Sequence, residues 1–249
     1  MTQPGFAAPL ANWRHRWYYC RMPPGNLLEI GWTPGWRLLA FLLSTTSLGC
    51  LLAQFYGICS MRIFAAAVFL PATAALVALC CLNLARARGR FCRPIAVGAA
   101  AGFIAAVAYD LFRLPFVYAR QWGIDAFVPA LNLFKVFPAF GAMLLGQPAG
   151  QAHYSAAASI LGWIYHFSNG ITIGVMYLAL IGDPARRHWA WAVAVATGLE
   201  LGMLLTPYPA VFGIPVTARF VCVTMGAHAV FGVCLGLVAR GIWPPRAEG

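Results

Sequence analysis

The sequence predicts an all-α, polytopic integral membrane protein. Of its 249 residues, 61% are apolar and only 9% are charged, and the mean hydropathy is +0.74. A soluble domain carries about a quarter charged residues, so this chain has too few charges to solvate a globular surface. The apolar residues also occur in runs of about 20 or more, long enough to cross a hydrocarbon core of about 30 Å. We therefore expect about six transmembrane helices in one tight bundle.

The chain divides into an N-terminal tail, a transmembrane domain and a C-terminal tail. In the first tail, residues 1–36, the stretch NWRHRWYYCRMPPGNLLEIGWTPGW mixes Arg with Trp and Tyr and breaks at Pro23 and Pro24. Amphipathic aromatics beside cations favour the headgroup layer, which predicts an interfacial segment. A docking surface for a partner protein is the alternative. The transmembrane domain covers residues 37–240, and residues 241–249 form the C-terminal tail.

Six apolar runs are long enough to span, and a seventh is ambiguous. The seventh, residues 126–145, contains Pro129 and Pro138, each of which removes a backbone donor, and Lys135 lies between them. We expect a re-entrant or interfacial segment there, with a seventh span as the alternative. Proline-broken backbone at membrane depth is tolerated only where protein covers it or where it lines a cavity. The six predicted spans are residues 37–57, 62–84, 94–118, 155–181, 188–211 and 216–240.

The arginines favour six spans, because this number places most of them on one side of the membrane. Short cytoplasmic loops carry the excess of Lys and Arg, so both termini are predicted to be cytoplasmic, in a bacterial inner membrane. A seventh span at 126–145 would move Arg186, Arg187 and the C-terminus to the outside. The predicted cytoplasmic side holds Arg14, Arg16, Arg21, Arg86, Arg88, Arg90, Arg93, Arg186, Arg187, Arg240 and Arg246. The predicted outer side holds mainly Arg62, Arg120 and Arg219.

The net charge of +11 bears on the expected partners. Because the arginines lie in short loops beside apolar runs, we expect the lipid bilayer and anionic lipids at the cytoplasmic face, and not nucleic acid. Other membrane subunits, or further copies of the chain in a homo-oligomer, are open alternatives. Four pairs of glycines spaced four apart let helix backbones approach closely, which predicts the tight bundle. They are Gly98 and Gly102, Gly170 and Gly174, Gly198 and Gly202, and Gly232 and Gly236.

Ionisable residues lie near the middle of three consecutive spans. At about 1.5 Å of rise per residue, His166 lies roughly 3 Å from the centre of its span, and Glu200 and His228 lie almost at the centres of theirs. Asp110, in the third span, lies about 6 Å nearer the outside. Such groups are expensive in hydrocarbon and usually mark a functional interior. His166, Glu200, His228, Asn169 and Asp110 are therefore the candidate midplane site, in which we expect His166 to meet Glu200 or His228.

Structural roles are the alternative for some of these residues. Asp110 and Arg113 are three residues apart and can form an ion pair on one helix face. Asn169 and Thr172 can hydrogen-bond a neighbouring helix, as polar residues in membrane bundles often do. Glu200 points away from Gly198 and Gly202, so it reaches the histidines only if its helix packs these glycines elsewhere.

Three chemistries fit two imidazoles and a carboxylate. His166, His228 and Glu200 are a candidate ligand set for zinc or iron, with Asp110 as a fourth ligand or a neighbour. Two histidines at equal depth on different helices are also candidate ligands for a b-type haem. The third chemistry is a His, Glu and Asp relay that carries protons. There is no H-E-x-x-H, G-x-S-x-G or Walker motif, which argues against the common metalloproteases, hydrolases and ATPases.

The sequence thus predicts a multi-pass membrane protein with a polar, metal- or proton-binding site near the bilayer midplane. One function that fits is a small permease or ion-coupled transporter, because transporters often build their sites from interrupted helices. A second is an intramembrane enzyme or redox protein. A third is a non-catalytic membrane subunit or assembly factor of a larger complex. The sequence does not choose among the three.

Overall fold

The computed structural model describes residues 30–86 and 89–243, which form helices and no strand. The predicted interfacial segment falls mostly outside these residues, and so does most of the C-terminal tail. Two short elements complete the helices, a 3-10 turn at Pro184–Arg186 and a helical turn at Tyr208–Val211. The main helices are α1 (Pro34–Phe55), α2 (Met61–Ala85), α3 (Cys92–Val117), α4 (Val136–Leu144), α5 (Ala156–Ile181), α6 (Ala190–Leu204) and α7 (Ala218–Ile242).

The prediction of an all-α membrane bundle is confirmed. Five helices (α1, α2, α3, α5 and α7) are long and apolar enough to cross a membrane. The fifth predicted span, residues 188–211, is divided: α6 has 15 residues, which rise about 22 Å, and ends at Leu204. Pro207 and Pro209 follow, and a proline within a helix removes a backbone donor and clashes with the preceding turn. The six-span topology and the domain division remain predictions.

The ambiguous run at 126–145 contains α4, a helix of nine residues. Nine residues rise about 14 Å, roughly half of what a hydrocarbon core requires. Pro138 lies in the first turn of α4, where its missing N–H is not needed by the helix. Phe137 and Phe140 are buried, and α4 packs along α5. The α4 part of the segment is thus covered by protein, as broken backbone at membrane depth needs to be, whereas Phe127 before it is exposed.

Helix α5 is the centre of the bundle. It packs against α1, α3 and α4, while α3 also packs against α7, and α7 against α6. Along the contact between α3 and α5 the backbones touch through glycines. A Cβ at Gly98 would lie 2.8 Å from the carbonyl oxygen of Gly174, and one at Gly102 would collide with the carbonyl oxygen of Gly170. These two glycine pairs therefore bring the helices together as the sequence predicts.

Of the other two predicted glycine pairs, one packs against a neighbouring helix and one does not. Gly232 and Gly236 of α7 lie against α6, where a Cβ at Gly236 would be 2.6 Å from the carbonyl oxygen of Trp189. At Gly198 and Gly202 of α6, a Cβ would meet no atom of the described chain within 4 Å. The expectation that this last pair also packs inside the bundle is wrong, because α6 turns its opposite face inward.

Hydrogen bonds close the end of the bundle at which α1 begins. The side chain of Asn83, 2% exposed, donates to the carbonyl oxygen of Ile30 at 2.9 Å. Its Oδ1 accepts from the backbone N–H groups of Phe91 and Cys92 at 3.0 and 3.1 Å. Arg37 donates from Nε to the carbonyl oxygen of Ala179 at 2.9 Å, near the end of α5. This end is therefore held by polar contacts between segments distant in sequence.

The contact between α3 and α5 gives a direct stability prediction. Gly102→Ala places a methyl group against the backbone of Gly170, and such overpacking lowers the free energy of unfolding by about 1–3 kcal/mol. Gly198→Ala is the matched control, because its methyl group meets open space and alanine favours a helix by up to about 1 kcal/mol. Thermal unfolding in detergent, followed by tryptophan fluorescence, compares the two. Equal melting temperatures would contradict the backbone contact.

Candidate functional site

A cavity of about 450 Å³ lies inside the bundle, between α3, α5, α6 and α7. Residues 130–133 and 213–215 line it at the end of the bundle opposite to the start of α1. Leu48, Leu51 and Phe140 contribute to its apolar wall. Its main polar side chains are Tyr109, Arg113, His166, Asn169, Glu200 and His228. The cavity thus combines an apolar wall with a few polar groups, as small-molecule sites usually do.

Glu200 and His228 form one imidazole–carboxylate pair between α6 and α7. His228 Nε2 lies 3.4 Å from Glu200 Oε2, and Thr224 donates its hydroxyl to Glu200 Oε1 at 2.7 Å. His228 Nδ1 lies 2.9 Å from the carbonyl oxygen of Thr224. A carbonyl oxygen only accepts, so Nδ1 carries a proton. One further proton can then lie either on Nε2 or on Oε2, and the pair can take it up or release it without other rearrangement.

Asp110 and His166 form the second pair, between α3 and α5. His166 Nε2 lies 2.8 Å from Asp110 Oδ2, and the other oxygen, Oδ1, lies 3.6 Å from Arg113 Nη1. Asp110 and Arg113 are 9% and 5% exposed, so one buried carboxylate faces two basic groups. The predicted contact of His166 with Glu200 or His228 is not what the structure has, since its carboxylate partner comes from α3.

Aromatic rings surround the guanidinium of Arg113. Its central carbon lies 4.8 Å from the ring of Tyr109, 5.1 Å from Phe134 and 5.3 Å from Phe137. Such cation–π contacts stabilise a cation where water is scarce. Nη2 donates to the carbonyl oxygen of Leu133, whereas Nη1 has no hydrogen-bond partner among the described residues. The guanidinium is therefore held in place with one side of its donor set unused.

Tyr109 joins the two pairs into one site. Its ring centroid lies 4.9 Å from that of His228 and 5.9 Å from that of His166. Phe137 of α4 stacks on His166 at 4.2 Å, which fixes the imidazole from the other side. The two imidazoles therefore belong to one aromatic cluster beside the cavity.

The site residues predicted from the sequence thus lie around one cavity, although they pair differently from the prediction. His166, Asn169, Glu200 and His228 line the cavity, and Asp110 reaches it through His166. Glu200 points inward because it lies on the face of α6 opposite to Gly198 and Gly202, which face away from the bundle. Asn169 Oδ1 has no hydrogen-bond partner in the ranges described. Thr172, the other residue expected to tie helices together, does so, since its hydroxyl lies 2.6 Å from that of Ser47 in α1.

The arrangement fits the proposed metal and haem ligand sets poorly. Residues 30–86 and 89–243 contain no group of three or more His, Cys, Asp or Glu placed to hold a metal ion. The candidate ligands His166, Glu200 and His228 are divided between two separate pairs. A b-type haem would need both imidazole Nε2 atoms directed at one iron, but each faces a carboxylate and Tyr109 packs against both rings. Proton binding, unlike metal or haem binding, requires nothing beyond the two imidazole–carboxylate pairs.

Sequence reasoning missed several residues of the site. Thr224 lies four residues before His228, so the two share a helix face, and this spacing could have identified it. Tyr109 and Phe137 carry no such signal, because their role follows from which helices are neighbours. Lys135 was noted only as a charge in a broken segment, and it also lines the cavity.

Fold and site together define an all-α, multi-pass membrane protein whose bundle encloses a cavity with paired imidazoles and carboxylates. Comparison with protein-family models, curated proteins and solved structures finds no match. The residues of this chain are therefore the basis on which we infer its function.

The hydroxyl of Thr224 is predicted to hold Glu200 in place. Thr224→Val removes a buried hydrogen bond to a carboxylate, which lowers the free energy of unfolding by about 1–3 kcal/mol. Thr197→Val on α6 is the control, since its hydroxyl bonds carbonyl oxygens of its own helix, Val193 at 2.8 Å and Ala194 at 3.5 Å. Thermal unfolding of both variants in detergent makes the comparison. A Thr224 variant as stable as the Thr197 variant would show that the bond is not formed.

Proposed function

We propose that this protein is a proton-coupled permease that binds a small ligand in the cavity and protons on the two imidazole–carboxylate pairs. The observation that carries the proposal is that Asp110–His166 and Glu200–His228, contributed by four helices, lie beside one cavity. Ionisable residues within the bilayer are expensive and usually mark a pathway or a proton relay. Two such pairs exceed what helix packing alone requires.

The chemistry of the pairs supports proton coupling. Imidazole changes its charge between about pH 5 and 8, which is the range that a proton-driven carrier uses. When the Glu200–His228 pair loses its shared proton it carries one net negative charge, which is unfavourable at low dielectric. A change in protonation is therefore tied to a compensating change at the cavity, such as ligand entry or access of water.

The shape of the bundle also supports a carrier. Residues 130–133 and 213–215, which belong to irregular segments, line one end of the cavity, and transporters commonly build sites at interrupted helices. Toward the other end, glycine contacts join α3 to α5 and the bonds of Asn83 and Arg37 tie the chain together. Irregular segments at one end and tight helix contacts at the other are what we expect of a carrier that opens toward one side at a time.

The arginines give the orientation that we infer, in a bacterial inner membrane. Chain connectivity brings Arg86, Arg186 and Arg187 to the end of the bundle at which α1 begins, and Arg62 and Arg120 to the other. By the positive-inside rule the end with more arginines is cytoplasmic. Residues 130–133 then lie on the outer side of the membrane.

Proton uptake is measurable without knowledge of the ligand. In proteoliposomes adsorbed on a solid-supported electrode, a jump from about pH 7.5 to about pH 5.5 crosses the range in which imidazole titrates and moves charge. Glu200→Gln and His166→Gln each reduce this charge displacement, and the double variant abolishes it. Asp125→Asn and His153→Gln, both exposed, leave it unchanged. Full displacement in a folded double variant would contradict the proposal.

Orientation is tested with reporter fusions. Alkaline phosphatase, which is active only outside the cytoplasm, is expected to be inactive after Gly249 and active after Gly123, in the loop that follows α3. Green fluorescent protein at the same two positions should give the opposite pattern. Active phosphatase after Gly249 would reverse the inferred orientation.

A further inference from the structure

We propose that the ligand of the cavity is an apolar molecule with one carboxylate or sulfonate group, which Arg113 binds together with a proton on His166. This inference rests on the permease proposed above and names its substrate class.

Arg113 is the residue whose charge and position favour an anion in the cavity. It is 5% exposed, it lines the cavity, and its guanidinium stays charged at every physiological pH. Of its donors, Nη2 bonds the carbonyl oxygen of Leu133, while Nη1 has no hydrogen-bond partner within the described chain. The nearest carboxylate oxygen, Asp110 Oδ1, is 3.6 Å away, beyond hydrogen-bond length. A buried charge with a donor that lacks a hydrogen bond is costly, and an anion in the cavity that Arg113 lines reduces this cost.

The surroundings of Arg113 indicate the rest of the ligand. Tyr109, Phe134 and Phe137 surround the guanidinium at ring-centroid distances of 4.8, 5.1 and 5.3 Å, and a guanidinium binds planar and tetrahedral anions through its N–H groups. The cavity of about 450 Å³ has apolar wall residues such as Leu51 and Phe220. It therefore suits an anion attached to a small apolar body better than a bare inorganic ion, which would leave the apolar wall unfilled.

Asp110 links the anion to a proton. Its two oxygens face His166 Nε2 at 2.8 Å and Arg113 Nη1 at 3.6 Å. While His166 is neutral, Asp110 is the counter-ion of Arg113 and the three groups are together neutral. When His166 is protonated, the imidazolium balances Asp110 and the site carries one net positive charge. The anion then restores neutrality, so proton and anion bind together and affinity rises as the pH falls.

Other charged and titratable groups around His166 do not cancel this linkage. From α7, His228 is paired with Glu200 of α6, so that these two balance each other when they share a proton. Tyr109 of α3 is neutral near pH 7. Lys135, exposed at the start of α4, adds a positive charge that also favours an anion. The residues of α1 that line the cavity, Leu48 and Leu51, are apolar.

The test measures binding of naphthalene-2-sulfonate to the protein in phosphatidylcholine nanodiscs by calorimetry. This probe stays anionic throughout, and 2-naphthylmethanol is its neutral counterpart. We expect the sulfonate to bind about tenfold more tightly at about pH 5.5 than at about pH 8, a typical size for coupling between two sites. Binding of the neutral counterpart should be weaker and independent of pH. Sulfonate binding no tighter than that of 2-naphthylmethanol would overturn the inference.

Variants assign the effect to residues. Arg113→Gln should abolish sulfonate binding, and Arg120→Gln, which removes an exposed arginine, should preserve it. Arg113→Lys keeps the charge and loses the planar fork, so it should fold and bind more weakly, which covers the case in which Arg113→Gln does not fold. His166→Gln should reduce the pH dependence to the part that the Glu200–His228 pair contributes. Unchanged affinity in a folded Arg113 variant would overturn the inference.

The two proposals fail in different ways. If the pH jump moves charge in the wild type and the sulfonate does not bind, the substrate class is wrong and the proton-coupled site stands. If the pH jump moves no charge, the proposed permease function is wrong, and so is the proposed linkage between proton and anion binding.

Discussion

Direct contact between helix backbones is the constraint on which this structure depends. The glycines of α3 and α5 meet in antiparallel register, Gly98 beside Gly174 and Gly102 beside Gly170. In the absence of a hydrophobic driving force between helices, close packing of this kind is what holds a membrane bundle together. Beyond these contacts, Asp110 lies about two turns from Gly102 on α3 and His166 about one turn from Gly170 on α5, and their side chains meet at 2.8 Å. A bulkier contact would separate the helices and break the pair.

The same arrangement occurs a second time in α6 and α7. Gly232 and Gly236 lie on the backbone of α6 at Val193 and Trp189, and the pair follows with His228 about one turn from Gly232 and Glu200 about two turns from Val193. Each half of the site is thus an acid–imidazole pair next to a glycine contact. Because α3 packs against α7, the two halves meet, with Tyr109 between their imidazoles. The site is a product of helix packing and not of any one helix.

The sequence predicts the class of protein and most of the site, but not how its residues pair. The composition and the length of the apolar runs are sufficient to predict the fold class. His166, Glu200 and His228 were selected as candidates because they lie at a similar depth in their spans. The predicted partner of His166 was wrong because depth was estimated from the position of each residue along its helix backbone, and side chains reach beyond that position. Asp and His side chains can reach each other across a helical turn, so the offset of about 6 Å estimated for Asp110 did not keep them apart. Which helices are neighbours was not available from one sequence.

The length of α6 illustrates the other limit. Residues 188–211 form one continuous apolar run, and hydropathy alone reads them as one helix. The break after Leu204 follows from the backbone chemistry of Pro207 and Pro209, which hydropathy does not measure. Likewise, spacing alone does not tell a packed glycine pair from an unpacked one. Gly198 and Gly202 match the pattern of the other pairs, and they face away from the bundle.

The position of Arg113 three residues after Asp110 has a consequence for synthesis of the protein. Helix α3 leaves the ribosome before any part of α5 exists, so His166 is absent when Asp110 first enters the bilayer. A lone carboxylate or guanidinium there resists insertion, whereas two opposite charges one turn apart neutralise each other within a single helix. Glu200 has no such partner in α6, and its imidazole arrives only with α7. Helix α3 can therefore enter the membrane alone, and α6 and α7 are expected to enter as a hairpin.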